Sequence, residues 1–352
     1  LVILMPRRND KQRNVTIKDV AREAGVSYST VSRVINGYEH IKPDKRERVL
    51  AVMERLGYQV NLQARSLVMG RSNLVGMIVH DLGNPYTAQI VQAIDQALGR
   101  AEYNLVLYTT HQDKAKEADF VGNFTQRMVD GLLLLIPLEP ESYLYKLRER
   151  AFPHIVIADT EKLDPLSPMV GVTNWQGAYE ATRYLIGLGH QRIGFISGHP
   201  AFLSAVERLD AYKAALADHG LPFDPDLVRP GAYLYRPGYE ATNELLRLPN
   251  PPTAIFAAND LTAQGVYDAA RALERRIPEQ LSVIGYDDIP QAAYLHPPLT
   301  TVRQPLLEMG GAAAGLLLDL IDNPGQSPPS VLFEAALIVR ESCQPPRQPT
   351  PV

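Results

Sequence analysis

From Leu74 onward one pattern repeats for about 270 residues: a short apolar run, a stretch with helical spacing, then another apolar run. The strand candidates are Leu74–Val79, Leu105–Tyr108, Gly131–Ile136, His154–Ile157, Arg192–Ile196, Ala254–Ala257 and Leu281–Ile284. Amphipathic stretches such as Tyr86–Ala101, Trp175–Leu188 and Glu207–His219 lie between them. Strands apolar on every residue are covered on both faces, and parallel pairing requires crossover connections of this kind. The pattern therefore predicts an α/β body, long enough for two doubly wound sheets. Ligands of such sheets sit beyond the carboxyl ends of the strands. That rule singles out Asp159, which follows His154–Ala158, then Asn259 and Asp260 after Ala254–Ala258, and Asp287 and Asp288 after Leu281–Tyr286. Arg208 lies just past the Phe195–Gly198 loop. Asp260 and Asp288 read as caps for the elements that follow them.

Ahead of this body the charge changes sign. Residues 1–72 carry 14 Lys and Arg against 7 Asp and Glu, while the remainder carries 21 against 32. A small basic head on a larger acidic body points to a polyanion as the partner of the head. Within it, Val15–Gly25 reads as a helix capped by Thr16, with Asp19 in the capping-box position and Gly25 as the stop. Ser27 caps a second helix, Tyr28–Ile35, whose Val31, Val34 and Ile35 face inward and whose Tyr28, Ser29, Ser32 and Arg33 face outward. A third helix begins at Pro43, carries Val49, Val52, Met53 and Leu56 on one side, and stops at Gly57. Two short helices joined through a glycine turn make a helix-turn-helix. The outward face of its second helix is small and polar with one arginine, as a major-groove reader requires.

The run from Val15 to Asn36, Val-Thr-Ile-Lys-Asp-Val-Ala-Arg-Glu-Ala-Gly-Val-Ser-Tyr-Ser-Thr-Val-Ser-Arg-Val-Ile-Asn, closely resembles the DNA-binding head of the lactose/galactose repressor (LacI/GalR) family. The resemblance implies DNA contacts at Thr16, Ser27, Tyr28, Ser29, Thr30, Ser32, Arg33, Asn36 and His40. Asn61–Gly70 resembles the family's hinge helix, with Asn61, Ala64, Arg65 and Leu67 as its minor-groove residues. Leu67 falls on the wedging position, and such a wedge kinks DNA when two hinge helices lie side by side. That geometry implies a homodimer on a roughly palindromic double-stranded operator, opened at a CG or other pyrimidine–purine step.

The body carries further motifs of this family: Asn84-Pro-Tyr86, Leu188-Gly-His-Gln-Arg-Ile-Gly194, Ala258-Asn-Asp260, Val283-Ile-Gly-Tyr-Asp-Asp288 and Pro298-Leu-Thr-Thr-Val302. They imply a periplasmic-binding-protein-like core of two doubly wound, Rossmann-like subdomains, which the chain crosses three times, near 173, 302 and 326. On this reading, residues 1–14 are a disordered extension, 15–60 the helix-turn-helix domain and 61–72 the hinge. The core then spans 73–342, with an N-subdomain of about 73–172 and 303–325 and a C-subdomain of about 173–302 and 326–342. Residues 343–352 form a flexible tail. Matched by motif, Asp159, Arg208, Asn259 and Asp287 fall on effector-binding positions, with Tyr86 and Tyr233 as stacking partners. Carboxylates, an amide and a guanidinium bond neighbouring hydroxyls well, while an aromatic face covers sugar C–H groups, so the implied effector is a sugar or sugar derivative. Where many members have Asp-Asn, this chain has Thr173-Asn174, so contacts through that aspartate do not carry over.

Other chemistry is sparsely represented. No phosphate-binding loop, HExxH, Gly-x-Ser-x-Gly elbow or dinucleotide fingerprint is present, and the adjacent carboxylates Asp287 and Asp288 are not a facing glycosidase pair. No catalytic set, metal or cofactor is expected. Cys343 is the one cysteine, and no apolar run is long enough to span a bilayer, so a cytoplasmic protein is expected, with no membrane partner. Leu1–Leu4 reads as an upstream extension, with Met5 the native start. The proline-rich end, Glu341–Val352, has no leucine heptads, which leaves a dimer as the default assembly. Two other classes stay open. One is the same DNA-binding role under a nucleobase or a protein co-regulator. The other is a sugar-processing enzyme with an accessory DNA-binding head.

Overall fold

The computed structural model describes residues 15–35, 38, 40–58, 71–126, 128–158, 160, 167–326 and 328–347. The chain divides into two compact units, Leu1–Ser72 and Asn73–Val352. The expected extension at 1–14 and the hinge stretch Asn61–Gly70 lie outside the described residues.

The first unit holds α1 (Ile17–Ala24), α2 (Tyr28–Ile35) and α3 (Pro43–Leu56). Thr16 and Asp19 close a reciprocal capping box at the start of α1, and Gly25 ends that helix at φ 63°. The Asp19 carboxylate accepts from the Thr16 N–H and hydroxyl, which lowers its pKa. The Ser27 hydroxyl accepts from the Thr30 N–H and so caps α2. Val20, Val31, Val34, Val49 and Val52 meet in one buried cluster. Each fully buried side chain of this kind contributes about 1.5–3 kcal/mol.

The second unit contains two six-stranded sheets. In the first lobe the strands are β1 (Leu74–Val79), β2 (Asn104–Thr109), β3 (Gly131–Leu135), β4 (His154–Ile157), β5 (Met169–Val172) and β11 (Val331–Phe333). They run in the order β11-β5-β4-β3-β1-β2, all parallel. The second lobe has β6 (Ile193–Ser197), β7 (Val228–Pro230), β8 (Ala254–Ala257), β9 (Ser282–Asp287), β10 (Thr300–Arg303) and β12 (Ala336–Ile338). Their order, β12-β10-β9-β8-β6-β7, repeats the first, except that β12 is antiparallel. Helices α4 (Pro85–Arg100), α5 (Lys114–Phe124), α6 (Leu144–Glu149) and α11 (Leu306–Asp322) belong to the first lobe. The second has α7 (Asn174–Gly187), α8 (Leu203–Asp218), α9 (Tyr235–Leu246) and α10 (Asp260–Ala272). Apolar clusters lie on both faces of each sheet, as the all-apolar strands require. No helix among the described residues is long and apolar enough to cross a membrane.

The chain passes between lobes three times: between Val172 and Asn174, between Arg303 and Leu306, and between Phe333 and Ala336. The last crossing corrects the one expected near 326. Val331–Phe333 first pairs with β5, so the chain leaves the first lobe only after completing that sheet. The first and third passages are laced together. Thr173 N–H donates to Phe333 O at 2.9 Å, and Ala335 N–H donates to Thr173 Oγ1 at 2.9 Å. Gly177 must be a glycine here, because a Cβ would stand 2.7 Å from Tyr286 Oη and 2.9 Å from the Ala335 Cβ.

The segment expected to begin a flexible tail at 343 is instead docked through Gln344. Gln344 N–H donates to Ser282 Oγ, and its carbonyl accepts from the Ser282 hydroxyl and the His190 ring. His190 is buried, with Nδ1 2.8 Å from Thr253 Oγ1, and burial lowers its pKa below the ordinary 6.5. A depressed folded pKa makes the unfolded chain the better proton acceptor. Stability from this site is complete above the unfolded pKa of about 6.5 and is lost as pH falls towards the folded value. The urea midpoint of the native chain should therefore drop more between about pH 7.5 and about pH 5.5 than that of His190→Gln. Equal drops would assign the acid sensitivity to other groups.

Candidate functional site

The head presents a reading face on α2. Val31 and Val34 are inward, while Tyr28 is 50% exposed and Ser29 and Arg33 are exposed beside it. The Ser27 hydroxyl lies 2.8 Å from each of the Ser29 and Thr30 hydroxyls, so Ser29 is turned back on the cap. That leaves Tyr28 and Arg33 as the long projections of this face, with Ser32 half-buried between them. Thr16 and His40 are exposed, and Asn36 lies outside the described residues. A helix face of this size and chemistry fits a major groove, with arginine able to donate two bonds to one guanine.

The second candidate lies between the lobes, at the carboxyl ends of the strands. Arg208, on α8, is 1% exposed although it carries a full charge. Its Nε donates to Asn174 Oδ1 at 2.8 Å, its Nη1 donates to the Ala258 carbonyl, and its Nη2 stands 3.8 Å from Asp287 Oδ1. The guanidinium carbon lies 3.6 Å from the centre of the Tyr286 ring and 5.5 Å from that of Tyr233. Asp287 ends β9 at φ 105°, a region that side chains rarely adopt and that tertiary contacts must hold. Gln304 supplies two such contacts: its N–H donates to Asp287 O, and its Nε2 donates to Asp287 Oδ1 at 2.8 Å. Gln304 Oε1 has no hydrogen-bond partner among the described residues.

The expected site residues divide. Arg208, Asp287 and Tyr233 come together around this group. Asn259 is adjacent, with Oδ1 accepting from Thr262 N–H as the cap of α10 and Nδ2 donating to Tyr233 O. The cap of α10 is thus Asn259 and not Asp260. Asp260 is fully buried and instead accepts from Ile289 N–H and the Thr301 hydroxyl, while burial raises its pKa. Asp288 likewise caps no helix, because it takes Arg303 and Arg340 as partners. Tyr86 lies apart from the Arg208 group. It falls in register with Ile90, Ile94 and Leu98 on the inner stripe of α4, so its ring is 5% exposed within the first lobe's core. Asp159 lies outside the described residues.

Other residues at the cleft escaped the sequence reading. Phe202 approaches His80, His199 and Tyr233, with ring centres 5.4, 5.8 and 6.1 Å away respectively. His80 belongs to the first lobe and the other three to the second, so the aromatic wall spans both. The Tyr233 ring lies over Gly198, where a Cβ would come within 2.0 Å of it. His80 and His199 follow β1 and β6, so the strand-end rule already pointed to them. Asn174 and Gln304 also follow strands, β5 and β10, but neither strand was among the apolar runs read from the sequence, and Glu207, inside α8, has no such flag. No group of three or more His, Cys, Asp and Glu among the described residues could hold a metal.

Comparisons with known proteins agree with this layout. Residues 16–61 match bacterial regulatory proteins of the lacI family, and residues 182–343 match the periplasmic binding protein-like domain. The HTH-type transcriptional repressor PurR of Photobacterium profundum is 32% identical over 327 residues, 93% of this chain and 98% of its own length. A transcriptional regulator CelR–cellobiose complex superposes with a TM-score of 0.70 at 35% identity, covering 93% of this chain and 99% of the other. A lac repressor dimer bound to operator and the anti-inducer ONPF superposes with a TM-score of 0.82 at 28% identity, covering 94% and 99%.

Around Arg208 the cleft offers a fixed donor fork, a carboxylate acceptor and an aromatic surface, and beside Asp287 the buried Gln304 Oε1 has no hydrogen-bond partner among the described residues. The cleft can therefore bind a ligand rich in hydroxyls, or a flat polar ring, without any reacting group. The fork geometry matters as much as the charge. Arg208→Lys keeps the cation but cannot reach Asn174 Oδ1 and Ala258 O together, leaving one buried acceptor unmet. The expected loss is about 1–3 kcal/mol of stability, read from the urea midpoint.

Proposed function

The chain belongs to the lacI family of bacterial regulatory proteins, and from that premise we propose that it is a repressor working as a homodimer on a palindromic operator under a sugar effector. It is a DNA-binding transcription regulator with an effector-binding core, and its relatives are regulators, not enzymes. The observation that carries the effector reading is the buried Arg208 group, where a guanidinium, Asp287 and Gln304 converge beside an aromatic wall. The cellobiose complex of a 35% identical relative supports a sugar. Neighbouring hydroxyls would take the Arg208 fork and the Asp287 carboxylate, and Gln304 Oε1 would accept one further hydroxyl. The aromatic wall of His80, Phe202 and Tyr233 favours a second reading, a nucleobase stacked in the same place.

In the head, Thr16, Ser27, Thr30, Asn36 and His40 are assigned to phosphates, and Tyr28, Ser32 and Arg33 to base edges. Asn61, Ala64, Arg65 and Leu67 are assigned to the minor groove as the hinge pair. A groove between α4 and β2, lined by half-buried Val91, Leu105 and Leu107, exposed Leu82 and the polar Gln92 and Asp95, is assigned to the partner protomer. Closure of the lobes would decide whether two hinges can lie side by side. The ligand acts only through its difference in affinity for the two states, and about 1–3 kcal/mol of coupling changes operator affinity about 5–150-fold.

Arg33→Ala should lose about 1–3 kcal/mol on a matched operator selected from random duplexes, and less on an operator altered at the contacted base pair. Equal losses would remove Arg33 from base reading. A thermal-shift screen of neutral sugars, sugar phosphates and purines separates the two effector classes. With the sugar or purine that shifts the native chain, Arg208→Ala should bind operator in a gel shift but no longer respond. A retained response would move the effector elsewhere.

A further inference from the structure

Glu207 is a buried carboxylate on α8, next to Arg208 but outside the set of groups assigned to the effector. It touches both lobes. Its Oε1 accepts from the hydroxyl of Thr160 at 2.7 Å, and both side chains are buried. Thr160 belongs to the first lobe: it follows β4, and its carbonyl accepts from the N–H of Val172 in β5. Glu207 Oε2 accepts from Asn174 Nδ2 at 3.2 Å, at the first passage between the lobes. Asn174 is fully buried and acts as the junction. Its Oδ1 takes Arg208 Nε, its Nδ2 also reaches Ser204 O at 3.3 Å, and its own carbonyl accepts from Tyr286 Oη at 3.0 Å.

A hydrogen bond to a buried charge is shorter and stronger than one between neutral groups, and leaving the charge short of a donor is costly. The Thr160–Glu207 bond runs between lobes that otherwise meet through three crossing segments and the cleft. We propose that Glu207 is the residue that positions the two lobes, latching the cleft through Thr160 before any ligand is present. Arg208 is tied to the latch through Asn174, so a ligand that draws on the guanidinium acts on the contact that sets the closure of the lobes. The idea rests on the cleft being the effector site, and it adds a device that holds that site partly closed at rest.

The latch is tested without operator or effector, so its failure leaves the assigned effector and DNA roles standing. Spin labels at exposed Asp119 and Arg275, one on each lobe, report the separation of the lobes in the full chain. Cys343 is replaced by serine, and labelled chains are diluted into unlabelled ones to remove distances between protomers. Thr160→Val, which keeps the shape and removes the hydroxyl, should shift the distance distribution to longer values. Thr160→Ser, which keeps the hydroxyl, should restore the native distribution. An unchanged distribution in Thr160→Val overturns the latch, and so does a shift of equal size in Thr160→Ser. If Thr160→Val does not fold, Thr160→Ala replaces it and is read the same way.

Discussion

A guanidinium withdrawn from water has five N–H donors to satisfy, and Arg208 imposes that demand on everything around it. Asn174, the Ala258 carbonyl and Asp287 supply partners, and the face of Tyr286 covers the plane. Each partner is held by something else. Asp287 sits in a backbone conformation that only surrounding contacts maintain, and Gln304 provides two of those contacts. Tyr286 donates to the backbone of Asn174, and Asn174 begins the helix after the first passage. The charge thus sits where the second lobe's strand ends, the first passage and the second passage converge. A ligand that competes for one of these donors reaches all three.

The two lobes repeat one strand order, and this sets which loops reach the site. In each sheet the carboxyl ends of parallel strands face the cleft, so the loops available to line it come from equivalent places in both halves. The first lobe brings His80 after β1 and Thr160 after β4, and the second brings His199 after β6, Tyr233 after β7 and Asn259 after β8. The site is assembled from loop ends, while the sheets beneath it are apolar and rigid.

Much of the architecture is readable from residue order alone. The second head helix begins and ends at Tyr28 and Ile35 as its cap and periodicity indicate, because local hydrogen bonds set both. Seven apolar runs form strands, six of them buried along nearly their whole length and β2 half-buried at the edge of its sheet. The short strands escaped: β5 has only four residues with Gly171 among them, β7 contains Pro230, β10 is Thr-Thr-Val-Arg, and β11 and β12 have three residues each. Tertiary pairing makes them strands, and no local preference records it. At the site, Arg208, Asp287 and Tyr233 were legible from strand ends and motif. Tyr86, read from its motif, packs in the first lobe's apolar cluster, and an aromatic on an apolar helical stripe looks alike whether it lines a cleft or a core. Glu207 was invisible for the opposite reason: its carboxylate looks like ordinary surface charge until Thr160 and Asn174 enclose it.

The three passages between lobes bear on how the gene can be divided. A cut at Thr173 would release a first half lacking α11, which packs in its core, and β11, which completes its sheet. A cut at Pro305 would strand β12 on the wrong fragment. Neither lobe can be cloned as one uninterrupted stretch; isolating either requires splicing separated coding segments together.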